Sequence, residues 1–125
     1  MRSAGFTLVE LMIVVAVMAV IAAIGIPLYN NYIETARAGV LVNSMASIEI
    51  FQEDLKLRTG AYGAGTYDFD GGDTSLTTTT GWSPQGDSSI VYVVTATGGT
   101  SYRVTATDKA GQSMCMVYPA RTACP

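Results

Sequence analysis

From Phe6 to Leu28 the chain runs through about 23 residues, roughly what a helix needs to cross a bilayer's hydrocarbon core, and it carries one charged side chain in that distance. That side chain is Glu10. A carboxylate at membrane depth costs about 2.5–3.5 kcal/mol on insertion scales, so it calls for a task and a partner. Arg2 is the only nearby side-chain cation, and it lies on the other side of Gly5. Such a run is either a helix kept in an apolar setting or a signal removed on export. Ala23-Ile24-Gly25 is a passable small-x-small cleavage site. The run nevertheless exceeds the usual signal core of about 7–15 residues, and helical patterning continues past Gly25, so a retained helix is expected.

Gly5-Phe6-Thr7-Leu8-Val9-Glu10-Leu11-Met12-Ile13-Val14-Val15, behind a short Met1 to Gly5 leader, resembles the start of type IV prepilins, a signature shared with the pseudopilins of type II secretion. The Gly before Phe, the Glu at the fifth position after the Gly and the Arg2 in the leader all match. The close likeness covers about the first 35 residues. It implies an α+β type IV pilin fold, with a long N-terminal helix packed on a small antiparallel sheet and a C-terminal disulfide loop. It also implies that a membrane prepilin peptidase cuts between Gly5 and Phe6 on the cytoplasmic side and N-methylates Phe6. The precursor would cross the inner membrane once. An assembly platform driven by cytoplasmic ATPases would then move it into a helical homo-oligomeric filament outside the cell, possible minor pilins included. Motility, adhesion and DNA uptake are the implied functions, and the sequence does not choose among them. The expected divisions are 1–5 leader, 6–28 membrane and filament-core half of the helix, 29–59 amphipathic half, and 60–125 loop, sheet and disulfide loop.

Cleavage after Gly5 would create an α-amino group, which ordinarily titrates at about 7.7–8.0, a cation for Glu10 to meet. Within one helix the two groups lie little more than a turn apart; in a staggered bundle the amine of one subunit reaches Glu10 of the next. The resemblance favours the second arrangement. Snorkelling to the interface, or a neutral protonated acid, are the plainer readings of Glu10.

Gly25 and Pro27 interrupt the run. Pro27 has no N–H for the Ala23 carbonyl and its ring crowds that turn, so a kink or a locally melted turn is expected. The resemblance implies that this segment unwinds when subunits pack; a simple bend at the membrane surface is the alternative. Helical periodicity resumes with Tyr29, Ile33, Ala36, Val40, Leu41, Met45, Ile48, Phe51 and Leu55 on one face. The pairs Glu34 with Arg37, Glu53 with Lys56 and Asp54 with Arg58 decorate the other. Basic residues in the last turn and Gly60 beyond it place the helix end near Arg58 to Gly60.

Residues 60–86 lack sustained periodicity and read as a long surface loop, with Tyr62, Tyr67 and Trp82 as anchors on the sheet. Asp68, Asp70 and Asp73 resemble the start of a calcium loop. Position twelve from Asp68 is Thr79, however, where an EF-hand needs Glu, so no metal site is expected. Thr74 to Thr80 could carry O-linked sugar, and simple loop polarity explains it equally well. Strands are expected over Ile90 to Thr97 and Ser101 to Thr107, joined at Gly98-Gly99, and over Ser113 to Tyr118. They make a sheet of three or four strands, with the face toward the helix undecided.

Cys115 and Cys124 are the only two cysteines, so one intramolecular pairing exists. Outside the inner membrane a disulfide is expected, closing a loop of about ten residues worth roughly 2.5–3 kcal/mol in the chain-entropy treatment. It resembles the C-terminal disulfide loop of many type IV pilins. A redox pair or metal site would want a C-x-x-C spacing or histidine partners, and the chain has no histidine. That absence also removes the commonest general base; no catalytic residues and no cofactor are expected. The formal net charge of −3 becomes −4 in side chains once Arg2 leaves. A DNA-binding role would rest on Arg103, Lys109 and Arg121, which are few and scattered, so DNA binding stays an uncertain reading helped only by repetition in a polymer.

Overall fold

A computed structural model describes residues 4–86 and 89–125. Met1, Arg2 and Ser3 of the expected leader lie outside the described residues. The chain divides into two units, Met1–Arg37 and Ala38–Pro125.

One helix, α1, runs Leu8–Thr59. Its last turn holds Lys56 and Arg58, as the sequence indicates. The helix continues unbroken through Gly25 and Pro27, so no turn is unwound there. Within the first unit every residue from Leu8 to Leu28 is exposed, and the mean hydropathy of its most apolar window is 2.9. This is the one helix, among the described residues, long and apolar enough to cross a membrane.

In the second unit, α1 is followed by β1 (Gly65–Tyr67), α2 (Ser75–Thr80), β2 (Val91–Thr97), β3 (Ser101–Thr107), β4 (Ser113–Tyr118) and β5 (Thr122–Ala123). The strands form a single antiparallel sheet in sequence order. Gly98 and Gly99, with φ of 61° and 73°, turn β2 into β3 in a backbone region that only glycine enters freely. Pairing of Val94 with Val104, and of Val104 with Met116, puts Tyr92, Val94, Tyr102, Val104, Ala106 and Tyr118 on the buried face. Leu41, Met45 and Ile48 of α1 meet that face, each with no accessible surface.

Three expectations need correction. The sheet has five strands, because β1 and β5 are too short for an alternating pattern to register and exist through pairing with β2 and β4. Residues 60–86 are not a bare loop. Threonine is a weak helix former, yet α2 forms where Leu76 is fully buried and Gly65 lets it approach: a Cβ there would lie 2.7 Å from the Leu76 backbone. The buried face of α1 is Leu41, Met45, Ile48, Gln52 and Leu55, whereas Val40 and Phe51 are exposed.

The anchors behave as expected. Trp82 is 1% exposed, donates from Nε1 to Ser47 Oγ at 2.8 Å, and packs edge-on against Tyr92 and Tyr67. Asp54 and Arg58 form the expected ion pair at 2.9 Å, while Glu34 and Arg37 close none among the described residues. Glu53 and Lys56 instead share the Tyr62 hydroxyl, which donates to Glu53 Oε1 at 2.6 Å and accepts from Lys56 Nζ at 3.2 Å.

Candidate functional site

Gly5 and Phe6 precede the first helical turn, outside any helix or strand. A Cβ on Gly5 would meet nothing within 4 Å, and Phe6 is 88% exposed, so nothing described shields the bond between them. Thr7 is the N-cap of α1: the Leu11 N–H donates to its carbonyl. Glu10 stands at the third helical position and reaches back. Its Oε2 accepts from the Thr7 N–H at 2.9 Å and from the Thr7 hydroxyl at 3.0 Å, and the Glu10 N–H donates to Thr7 Oγ1 at 3.2 Å. This reciprocal capping box satisfies donors that the first helical turn leaves without intrahelical partners. The sequence reading missed it, although Thr7-Leu8-Val9-Glu10 is the four-residue pattern that signals it. Among the described residues of the uncut chain, Thr7 is therefore the partner of Glu10.

Behind the box, two shallow apolar grooves run along the helix. One is lined by Ile13, Ala16, Val17, Val20 and Ile21, the other by Leu11, Met12, Val15, Ala16 and Ala19. Small residues beside large ones let helices approach closely, which is what packing in a lipid or bundle setting rewards.

At the other end of the sequence, Cys115 and Cys124 are disulfide-bonded with a Cα–Cα distance of 5.5 Å, as expected. Asp68, Asp70 and Asp73 do not converge. Asp68 Oδ1 accepts from the Gly71 N–H, Asp70 pairs with Lys109 at 2.8 Å, and Asp73 accepts from the Ser75 N–H at the start of α2. That last bond holds the Asp73 carboxyl below its ordinary range. Of the three cations considered for DNA, Lys109 and Arg121 are committed to Asp70 and Glu49, and Arg103 stands apart on β3.

The Gly5-Phe6 junction, the capped acid and the uncovered apolar helix thus lie together in one short amino-terminal stretch. The family pattern of the prokaryotic N-terminal methylation motif matches residues 1–26, so the chain carries this motif. Over about a third of its length the chain is similar to curated relatives, among them the following. Prepilin peptidase-dependent protein D of Escherichia coli K12 is 51% identical over 35 residues, covering 28% of this chain and 24% of the relative. Type IV major fimbrial protein FimA of Dichelobacter nodosus is 48% identical over 46 residues, covering 37% and 29%. Fimbrial protein Q of Moraxella bovis is 44% identical over 43 residues, covering 34% and 27%. The chain thus matches little more than a quarter of the length of these relatives. No solved structure matches it.

Proposed function

We propose that this chain is a type IV pilin, a structural and not a catalytic protein that polymerises through α1 into a retractable extracellular filament serving motility, adhesion or DNA uptake. The observation that carries the reading is the methylation motif at residues 1–26 joined to an apolar helix segment that its own chain leaves wholly exposed. The antiparallel sheet laid on the second half of the helix and the C-terminal disulfide support it.

In this reading the precursor waits in the inner membrane with its N-terminus on the cytoplasmic side. Prepilin peptidase cuts between Gly5 and Phe6, with Gly5 as a subsite, and N-methylates Phe6. The freed amine lies next to Thr7, so it competes with the capping box for the Glu10 carboxylate of its own or a neighbouring subunit. Lipid tails are as apolar as leucine, so moving the helix from bilayer to bundle gains little hydrophobic free energy. Assembly is then close to reversible, and packing, the Glu10 contact and work from cytoplasmic ATPases set its direction. Gly25 and Pro27 mark where the helix gives way under packing, because the Ala23 carbonyl already lacks its intrahelical donor.

Mass spectrometry of the mature protein and of sheared filaments tests this. The expected product begins at N-methylated Phe6 and is found in filaments; a secreted monomer beginning at Ile26 overturns it. A place as a minor pilin is the second reading, which the disulfide loop fits equally well, and abundance in sheared filaments separates the two. A type II pseudopilin is less favoured, since the C-terminal cysteines are bonded and the three aspartates do not converge.

A further inference from the structure

A sheet edge presents unpaired N–H and C=O groups, which another chain can use for pairing. At one edge, the β1 residue Thr66 has its N–H donating to Ser75 Oγ at 2.9 Å, and its carbonyl accepting from the same hydroxyl at 3.3 Å. One side chain at the start of α2 thus closes that edge. The opposite edge is the two-residue β5, and directly behind it lies β4, Ser113-Met114-Cys115-Met116-Val117-Tyr118, a run with no charge and no proline. Short uncharged apolar segments of this composition are prone to pair with copies of themselves. Among the described residues its only strand cover is β5, which pairs Ala123 with Met116 and Thr122 with Val117. Two residues of pairing cannot hold a strand in water unaided. Three further links fasten it: the Cys115–Cys124 disulfide, the Cys124 N–H donating to the Cys115 carbonyl at 3.3 Å, and the Arg121–Glu49 ion pair to α1 at 3.1 Å.

We infer that the C-terminal loop is an edge guard: the disulfide keeps β5 over β4, and without it the β4 edge pairs antiparallel with β4 of a second copy of this chain. The occupant is a second copy because an antiparallel pair of identical uncharged strands meets no like-charge opposition, and an edge of apolar side chains offers nothing to select a different partner. This inference does not depend on the proposed function.

The test uses the full chain in detergent micelles as wild type, Cys124→Ser and Cys124→Ser/Val117→Lys, followed by sedimentation and amide hydrogen exchange. The register and the Cys124–Cys115 bond turn the Cys115 and Val117 amides toward β5. In Cys124→Ser these two amides should exchange at least tenfold faster at low protein concentration and regain protection as dimers form. Amides within the β2–β3 ladder should stay protected throughout. Adding Val117→Lys, which puts a charge on the edge, should keep the variant monomeric. Unchanged protection of Cys115 and Val117 in dilute Cys124→Ser overturns the inference. So does loss of protection in β2–β3, which would make the disulfide a support for the whole domain. Association that survives Val117→Lys overturns it as well, by placing the contact on α1.

Discussion

The side-chain amide of Gln52, fully buried on α1, exchanges two hydrogen bonds with the backbone of Gly63: Nε2 donates to the Gly63 carbonyl at 2.8 Å and Oε1 accepts from the Gly63 N–H at 2.9 Å. A single side chain thus does for the start of the loop what a neighbouring strand does for a ladder residue. Replacing it with leucine keeps the volume and strands both backbone groups, each at a cost of about 1–3 kcal/mol. Gln52→Leu should therefore destabilise the domain despite being more apolar, and chemical denaturation of the detergent-solubilised chain measures it. A neutral or stabilised Gln52→Leu would show that Gly63 finds other partners.

Glu10→Gln keeps an oxygen for the Thr7 donors but removes the charge that, in the proposed function, pairs with the freed amine. Membrane insertion should be unchanged and filament yield sharply lower, read as sheared filament per cell against membrane-bound subunit. Normal yield from this variant would end the pairing idea. A bulky residue at Gly5 should leave uncut precursor in the membrane, visible as a heavier band on immunoblots.

Two glycines predict opposite outcomes. A Cβ at Gly39, inside α1, meets nothing within 4 Å, so Gly39→Ala should stabilise by about 0.5–1 kcal/mol through helix propensity. A Cβ at Gly65 would press on the Leu76 backbone, so Gly65→Ala should push α2 off β1 and destabilise. Thermal unfolding of both variants checks the contrast.

Alkaline pH should unfold the sheet domain. Burial pushes the Tyr102 and Tyr118 phenols up, and the bond to Glu53 raises Tyr62. A phenol raised in the folded state contributes stability that is full below its unfolded value of about 10 and is lost as pH climbs through the folded value. Tyrosinate absorbance from these rings should appear together with loss of the sheet signal in circular dichroism, and earlier ionisation would contradict the burial. The Tyr102 hydroxyl has no hydrogen-bond partner among the described residues. Tyr102→Phe should accordingly be neutral or stabilising and move the alkaline limit upward.

What the sequence made legible, and what it did not, follows from how local each signal is. The Gly5-Phe6 junction, Glu10, the Gly98-Gly99 turn and the lone cysteine pair each announce themselves within a few residues. The span of α1 was likewise readable from its apolar run and its basic last turn. Gln52 was hidden because a glutamine among apolar positions looks like a break in the face; its value appears only when Gly63 is brought opposite. Phe51 was misplaced for the same reason, since the buried stripe shifts by one residue to admit Gln52. The pairing of Thr66 with Ser75, and the sharing of Tyr62 by Glu53 and Lys56, depend on contacts that no periodicity encodes.

Of the cations in the folded unit, Arg58, Lys109 and Arg121 are each held against a carboxylate of the same chain, and Lys56 lies over the Tyr62 ring. Little positive charge is left to offset the acidic excess. In the proposed filament that excess, repeated along the fibre, makes a polyelectrolyte whose sides repel. Side-by-side bundling of such fibres would then be governed less by their protein contacts than by the ionic strength and multivalent counterions of the surrounding medium.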